Sequence, residues 1–165
     1  MADHRGPQGQ ISQVDSDSVI YPLNLDAFVE KHLNVSRRIY GLCYLNADIH
    51  RRGKWKVPRR RLGSHHYPEY CIGAAYLMTG DVPSLLVDQI NGRLGYLSID
   101  DAYFSGILAE KARITRVDFK DGFKYKSDID SSFFKKCPCR SLLASFEYKS
   151  PSLMKKAWND YTKAE

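Results

Sequence analysis

Two pairs of closely spaced aspartates are the residues of this chain best suited to chemistry. Asp100 and Asp101 are adjacent, and Asp15 and Asp17 form a D-x-D at the end of a short apolar run. Neighbouring carboxylates in a partly desolvated cleft raise the pKa of one of them, which suits a general base. A D-x-D offers hard oxygen ligands through which Mn²⁺ or Mg²⁺ can bridge to a diphosphate. Taken alone, either pair is also typical of a solvated turn or a helix cap.

The elements that must position these carboxylates are predicted from hydrophobic periodicity. A strand over Ile11–Ile20 is interrupted by the D-x-D, and a buried aromatic strand spans Tyr70–Thr79. Apolar residues at 104, 107 and 108 form a helical stripe. That stripe predicts a helix with Asp100 and Asp101 in or just before its first turn, where the helix dipole favours negative charge.

The rest of the chain alternates between strand and helix patterns, which supports an α/β domain. We expect further strands over Ile39–Leu45 and Arg113–Phe119, the second of these being the last in the chain, and a polar, irregular segment over Lys120–Ser132. We expect helices that begin at Pro22 with Asn24 as a capping side chain, at Asp81 as an N-cap, and at Ser150-Pro151.

Length and composition indicate one globular domain over residues 11–165, after a disordered N-terminus over residues 1–10. The chain has 165 residues, of which 43% are hydrophobic and 27% are charged. No apolar run approaches the roughly 18 residues of a membrane span, and no targeting signal is visible. Four cysteines permit two disulfides in three connectivities, or none, and Cys137-Pro138-Cys139 is too tight for a zinc knuckle.

The net charge of +6 is concentrated in one run, Arg51–Arg61, where seven of eleven residues are Lys or Arg. We interpret this run as a loop because it contains Gly53 and Pro58. Such a loop binds nucleic-acid phosphates, an acidic glycan or membrane headgroups, or is simply a solvated face. Trp55 lies within it and could stack on a sugar face.

Four motifs occur in a fixed order along the chain: the D-x-D, K-W-x-V around Trp55, Y-P-x-Y-x-x-G-x-x-Y from Tyr67, and D-D-A-Y-x-x-G from Asp100. The set resembles the beta-1,3-galactosyltransferase-like hexosyltransferases of glycosyltransferase family 31. The resemblance runs from about Gln13 to about Val117 and more weakly to Trp158, so it covers most of the chain. Ser16 stands where the family has the middle aspartate of a D-D-D, and Asp100 stands where the family has glutamate.

This resemblance implies a GT-A-type α/β fold and an inverting, metal-dependent transfer of galactose or N-acetylhexosamine from a UDP-sugar to an acceptor glycan or glycoprotein. The resemblance also implies a location in the Golgi lumen, since the enzymes of this family are anchored in the Golgi membrane. It makes nucleic acid an unlikely partner. The roles implied are Asp101 as catalytic base beside Asp100, Asp15 and Asp17 as ligands of Mn²⁺ or Mg²⁺ and the nucleotide, and Trp55, Tyr67, Tyr70 and Gly73 as substrate-binding residues.

The family's D-x-D lies in the middle of the domain, whereas fourteen residues precede Asp15 here. We therefore expect an incomplete GT-A fold, with the nucleotide-binding N-terminal half largely missing, and weak binding of UDP. The alternatives are an inactive fragment or pseudoenzyme, and a basic binding module for nucleic acid or anionic glycan. Asn34-Val35-Ser36 is a glycosylation sequon, which lends slight support to a lumenal location.

Overall fold

The structure is a computed structural model that describes residues 9–32, 34–90, 97, 99–129, 132–136 and 141–164. Seven strands and five α-helices lie in this part of the chain. The strands are β1 (Gln10–Val14), β2 (Val19–Ile20), β3 (Arg38–Tyr44), β4 (Tyr70–Thr79), β5 (Thr115–Asp118), β6 (Phe123–Tyr125) and β7 (Ala144–Phe146). The predicted α/β class is confirmed.

The helices flank two small sheets. They are α1 (Pro22–Lys31), α2 (Val82–Val87), a π-helix (Ala102–Leu108) that continues as α3 (Ala109–Lys111), α4 (Phe133–Lys136) and α5 (Pro151–Thr162). One sheet has the strand order β1-β4-β3-β5 and is antiparallel except for the parallel β3–β5 pair. The other has the order β2-β7-β6, with β6 and β7 parallel.

The four-stranded sheet is covered on both faces, which explains why β4 is apolar along its whole length. Ile39 and Cys71 on one face join a core that includes Val82 of α2 and Leu108 of the π-helix. Residues on the opposite face pack against α1, β6 and β7 in a second core, formed mainly by Tyr40, Leu77, Phe28, Phe123 and Phe146. Burial on both sides therefore holds β4 in the middle of the domain.

A third core lies around the start of α1 and the inner side of α5. Tyr21 is fully buried there, and its ring centroid lies 4.7 Å from that of Tyr161. Its hydroxyl lies 2.8 Å from Ser145 Oγ, which in turn lies 2.7 Å from the Tyr148 hydroxyl. This hydroxyl chain satisfies polar atoms that burial would otherwise leave without partners.

Several sequence predictions are confirmed, whereas the prediction that Asn24 caps α1 is wrong. Ser150 caps α5, since its side chain accepts a hydrogen bond from Leu153 N at 3.4 Å. Asn24 does not cap α1, because it is buried and donates to the Leu142 carbonyl at 2.8 Å. Asp81 occupies the N-cap position of α2, yet its carboxylate accepts from Arg37 N and Thr79 Oγ1 instead of from the helix.

The prediction that the chain ends its strands at Phe119 is wrong, since β6 and β7 follow. Lys120–Ser132 is also not irregular throughout, because it contains β6 and a short 3₁₀ turn over Lys126–Asp128. Three-residue strands are too short to show a period, and β6 pairs with β7 across about twenty residues of chain. Such pairing is invisible to local patterns.

Cys43 and Cys71 form a disulfide between β3 and β4, which settles one of the open cysteine pairings. Cys137 and Cys139 lie outside the described residues, as do residues 1–8 of the expected disordered N-terminus. Gln10 belongs to β1 and is paired with Thr79. Among the helices in the described ranges, none has the length and apolar character needed to cross a membrane.

Candidate active site

The candidate site lies along the edge of β4, at the point where β1 ends. β1 pairs with β4 only from Ala75 to Thr79. Beyond that point, Asp15 N donates to the Ala74 carbonyl at 2.9 Å, and Gly73 N donates to Asp101 Oδ2 at 3.3 Å. The D-x-D turn and the Asp101 carboxylate are therefore anchored on neighbouring residues of one strand.

The register between β3 and β4 shifts at this same place. Gly41 is paired with Tyr76 and Cys43 is paired with Cys71, so the shift falls between the two pairs. A Cβ on Gly41 would lie 3.1 Å from the Cβ atoms of Cys71 and Tyr76, so only glycine fits without displacement. Irregularities of this kind bend a strand and are common beside active sites.

The π-helix is fixed to β4 by one buried serine. Ser105 is fully buried, and its Oγ accepts from Cys71 N at 3.0 Å. The same hydroxyl lies 2.7 Å from the Cys71 carbonyl and 2.7 Å from the Asp101 carbonyl, so its proton is shared between the two. π-Helical turns recur at functional sites. Here, the helix that carries Asp101 is joined directly to the strand that faces it.

Two glycines let the helix and the strand approach each other closely. A Cβ on Gly106 would lie 3.1 Å from the Cβ of Tyr70, which is tighter than ordinary contact. A Cβ on Gly73 would lie 3.4 Å from the Cβ of Asp101. Gly73 therefore contacts Asp101, the predicted base, directly. Gly106, the last residue of the motif that contains Asp101, sets the distance between the π-helix and β4.

Asp101 is half-buried at the N-terminus of the π-helix. Burial raises the pKa of its carboxyl, and the nearby Asp100 carboxylate acts in the same direction. Hydrogen bonds from Ala102 N to Oδ1 at 2.7 Å and from Gly73 N to Oδ2 oppose that rise. Asp101 is thus a helix cap and also a desolvated carboxylate, so the structural and the chemical interpretations hold together.

The D-x-D turn lies within electrostatic reach of the same carboxylates. Partial desolvation raises the pKa of Asp15, and Asp17 and Asp100 add to the rise. Burial also raises the pKa of Tyr76 to about 12, with Asp100, Asp101 and Asp15 contributing. Three of the four predicted acidic residues therefore act on the pKa of one tyrosine of β4, and Asp17 acts on the pKa of Asp15.

The carboxylates of Asp15 and Asp17 suit a hard divalent cation whose other ligands are phosphate oxygens and water. Within the described ranges, no group of three or more His, Cys, Asp or Glu side chains could hold a metal ion. Asp15 and Asp17 are nevertheless exposed carboxylates in one tight turn. Mg²⁺-type sites commonly use one or two carboxylates together with phosphate oxygens and water, so the residues present fit such an ion.

Comparison with known proteins shows the family of this chain. The family model described as Galactosyltransferase matches residues 7–120, which is more than half of the chain and includes every acidic residue of the site. The chain belongs to the galactosyltransferase family. No curated protein matches it. Membership makes this a glycosyltransferase domain by resemblance, with a sugar donor and a glycan acceptor.

The galactosyltransferase domain also presents a row of tyrosines beside Asp101. Tyr70 is half-buried, and burial together with the Asp101 charge raises its pKa to about 12. Its ring lies 5.6 Å from Tyr67 and 6.1 Å from Tyr44, whose hydroxyl lies 2.9 Å from that of Tyr125. Tyr67 is buried and packs against Tyr70 edge to face, whereas Tyr44 is exposed.

Trp55 does not belong to this row of tyrosines. It is 53% exposed in the basic loop of the galactosyltransferase domain, and Lys54 Nζ lies 4.3 Å from its ring centroid. Among the described residues, no ring contact joins it to Tyr67 or Tyr70. The structure therefore brings Asp100, Asp101, Gly73, Tyr67 and Tyr70 together and leaves Trp55 outside this group.

Sequence reasoning missed three residues that shape the site. Ser105 is a polar residue within the apolar face of a helical stripe, and that mismatch was the available signal. Tyr44 and Tyr125 are separated by 81 positions and meet only through the fold, so no local pattern indicated the pair. Each of these residues contacts an element that carries a predicted site residue.

Proposed function

We propose that this chain transfers galactose or N-acetylhexosamine from a UDP-sugar to a hydroxyl group of a glycan or glycoprotein acceptor. The observation that supports it most is the half-buried Asp101 carboxylate, held against Gly73 beside the D-x-D turn. Family membership supplies the reaction class. A desolvated carboxylate with a raised pKa is suited to receive a proton from an alcohol.

The proposed reaction is a single displacement with inversion at the anomeric carbon. Asp101 accepts the proton of the acceptor hydroxyl as that oxygen forms a bond to the anomeric carbon. The bond between the anomeric carbon and the UDP oxygen breaks, and UDP leaves with the electron pair. Gly73 N and Ala102 N each donate to one oxygen of the carboxylate and hold it in place, and each oxygen keeps a further lone pair that can accept from the acceptor hydroxyl.

Asp15 and Asp17 are the residues that would hold Mn²⁺ or Mg²⁺ with the diphosphate. When bound, such an ion stabilises the negative charge that develops on the leaving group. Tyr70, Tyr44 and Tyr125 present aromatic and hydroxyl groups that suit a sugar ring at the acceptor side. Trp55 and the buried Tyr67 contribute less directly, the first from the adjoining loop and the second by supporting Tyr70.

We also propose a lumenal location in the secretory pathway, as in Golgi glycosyltransferases. The Cys43–Cys71 disulfide supports it, because disulfides persist in oxidising compartments. Asn34 of the sequon is exposed in the turn that follows α1, so it is accessible to the glycosylation machinery. A shift in mass on enzymatic deglycosylation of secreted protein, absent in Asn34→Gln, would test this.

The central test is transfer from UDP-galactose and UDP-N-acetylhexosamines, with Mn²⁺, by wild type, Asp101→Asn and the matched control Asp121→Asn. Asp121 is exposed and distant in sequence from the site motifs. Loss of a general base lowers turnover by about 10²–10⁴-fold, so we expect that loss in Asp101→Asn alone. Asp101→Asn turnover within about threefold of wild type would remove Asp101 from the mechanism, and an inactive wild type would favour the pseudoenzyme alternative.

A further inference from the structure

The basic loop between β3 and β4 carries a concentration of positive charge that transfer chemistry does not use. Between Asp48 and Glu69 the chain contains no acidic residue. Within the described part of the chain, none of the loop's exposed cations forms an ion pair with a carboxylate. These exposed cations are Arg52, Lys54, Lys56, Arg59, Arg60 and Arg61.

The remaining cation of the run, Arg51, holds the loop in a fixed conformation. The Arg51 guanidinium turns inward and donates to the Val57 carbonyl at 2.8 Å, the Leu62 carbonyl at 2.9 Å and the Ser64 carbonyl. Val57 is buried, and its N–H donates to His50 O at 2.8 Å. A preformed surface loses less conformational entropy on binding than a flexible one.

The ends of the loop are closed as well. His66 Nδ1 lies 3.0 Å from Asp48 Oδ1, and Ile49 N donates to His65 O at 3.0 Å. Tyr67 N then donates to Ala47 O at 2.9 Å, where the loop joins the strand of the active site. The loop that carries the cations is therefore closed at its base, and the chain passes from it through Tyr67 into β4.

The composition of this surface points to one class of ligand. Trp55 is exposed among the cations, and an indole face stacks well on the C–H face of a sugar ring. Lys and Arg side chains form charge-assisted hydrogen bonds with sulfate and carboxylate groups. A ligand that offers sugar rings and anionic groups together satisfies both features.

We propose that the basic loop binds an acidic glycan, one that bears sulfate or uronate groups, and that the acceptor of this galactosyltransferase domain belongs to that class. Naming the acceptor rests on the proposed function, whereas binding of the glycan does not. The Cys43–Cys71 disulfide favours glycan over nucleic acid, because oxidising compartments hold the former.

The experiment measures binding of a fluorescent chondroitin sulfate oligosaccharide by anisotropy, from about 50 to about 200 mM salt. Replacing Arg59, Arg60 and Arg61 with Gln should lower the slope of log Kd against log salt by about 3, if counterion release follows polyelectrolyte behaviour. The matched control replaces Lys149, Lys155 and Lys163, three exposed lysines on and around α5, and removes the same charge. We expect that control to keep the wild-type slope.

A second pair of variants separates stacking from charge. Trp55→Ala should weaken binding about fivefold or more at every salt concentration, whereas Trp158→Ala on α5 should leave it unchanged. A desulfated oligosaccharide should bind much more weakly than the sulfated one. Equal losses in the loop and α5 variants would overturn the proposal, because they would indicate net charge alone.

Two further readouts keep this proposal distinct from the proposed function. Asp101→Asn should retain wild-type binding of the oligosaccharide while losing transfer. Transfer by a wild type that does not bind the glycan would overturn this inference and leave the function standing. Tighter loop-dependent binding to single-stranded DNA, or to phosphatidylserine vesicles, than to the glycan would overturn the choice of ligand.

Discussion

Removal of the Ser105 hydroxyl should destabilise the domain, because three polar contacts depend on it. In Ser105→Ala, Cys71 N loses its acceptor in a fully buried place, which costs about 1–3 kcal/mol. The carbonyls of Cys71 and Asp101 lose one shared donor, worth about 1 kcal/mol. We therefore expect the free energy of unfolding to fall by about 2–4 kcal/mol.

Thermal denaturation followed by circular dichroism measures this loss. For a domain of this size, 1 kcal/mol corresponds to about 2–4 °C, so the expected fall in Tm is about 5–15 °C. Ser127→Ala is the matched control, because Ser127 is exposed and its Oγ donates to Asp128 Oδ1 at 3.3 Å on the surface. That variant should stay within about 0.5 kcal/mol of wild type. A Ser105→Ala protein as stable as the control would refute the role assigned to this hydroxyl.

Three further predictions concern β4 and the residues that contact it. Gly106→Ala should lower the kcat of transfer while lowering Tm only slightly, because the added Cβ would lie 3.1 Å from Tyr70 Cβ and displace the helix that carries Asp101. Measurement of kcat and Tm on the same protein tests this, and an unchanged kcat would contradict it. Burial raises the pKa of Asp101, so its proton stabilises the folded state below the unfolded pKa of about 3.9, and this contribution is lost as pH rises through the raised folded pKa. The stability of wild type relative to Asp101→Asn, from urea unfolding, should therefore fall as the pH rises above about 4, and a rise would contradict the assigned direction. Replacing Cys43 and Cys71 with Ser should cost about 2–4 kcal/mol, measured by urea unfolding against wild type under reducing and oxidising conditions, and no difference between those conditions in wild type would speak against the disulfide.

Local patterns in the sequence were sufficient to identify most single elements. The β-forming residues of β3 and the apolar content of β4 predicted both strands, and Pro22 and Ser150-Pro151 predicted where two helices begin. The acidic residues of the D-x-D predicted the break between β1 and β2. These signals succeed because backbone period, proline and helix capping act within a few residues of chain.

Short elements and long-range pairing escaped the same reasoning. β6 and β7 have three residues each, and each gains its stability from packing against partners distant in the chain. Asn24 has the residue type of a cap, but a buried carbonyl 118 positions away competes for its side chain. Tertiary burial decides such cases, because a satisfied buried amide outweighs a solvated cap.

The sequence by itself determined the chemical inventory of this galactosyltransferase domain: which carboxylates, tyrosines and cations are available, and in what order. Only the tertiary structure decided that Asp15 and Asp101 meet on neighbouring residues of β4, that Ser105 joins the helix to that strand, and that Arg51 turns inward. The physical reason is register: pairing of β1 with β4 joins residues more than sixty positions apart, and a shift of one residue would reverse every side chain.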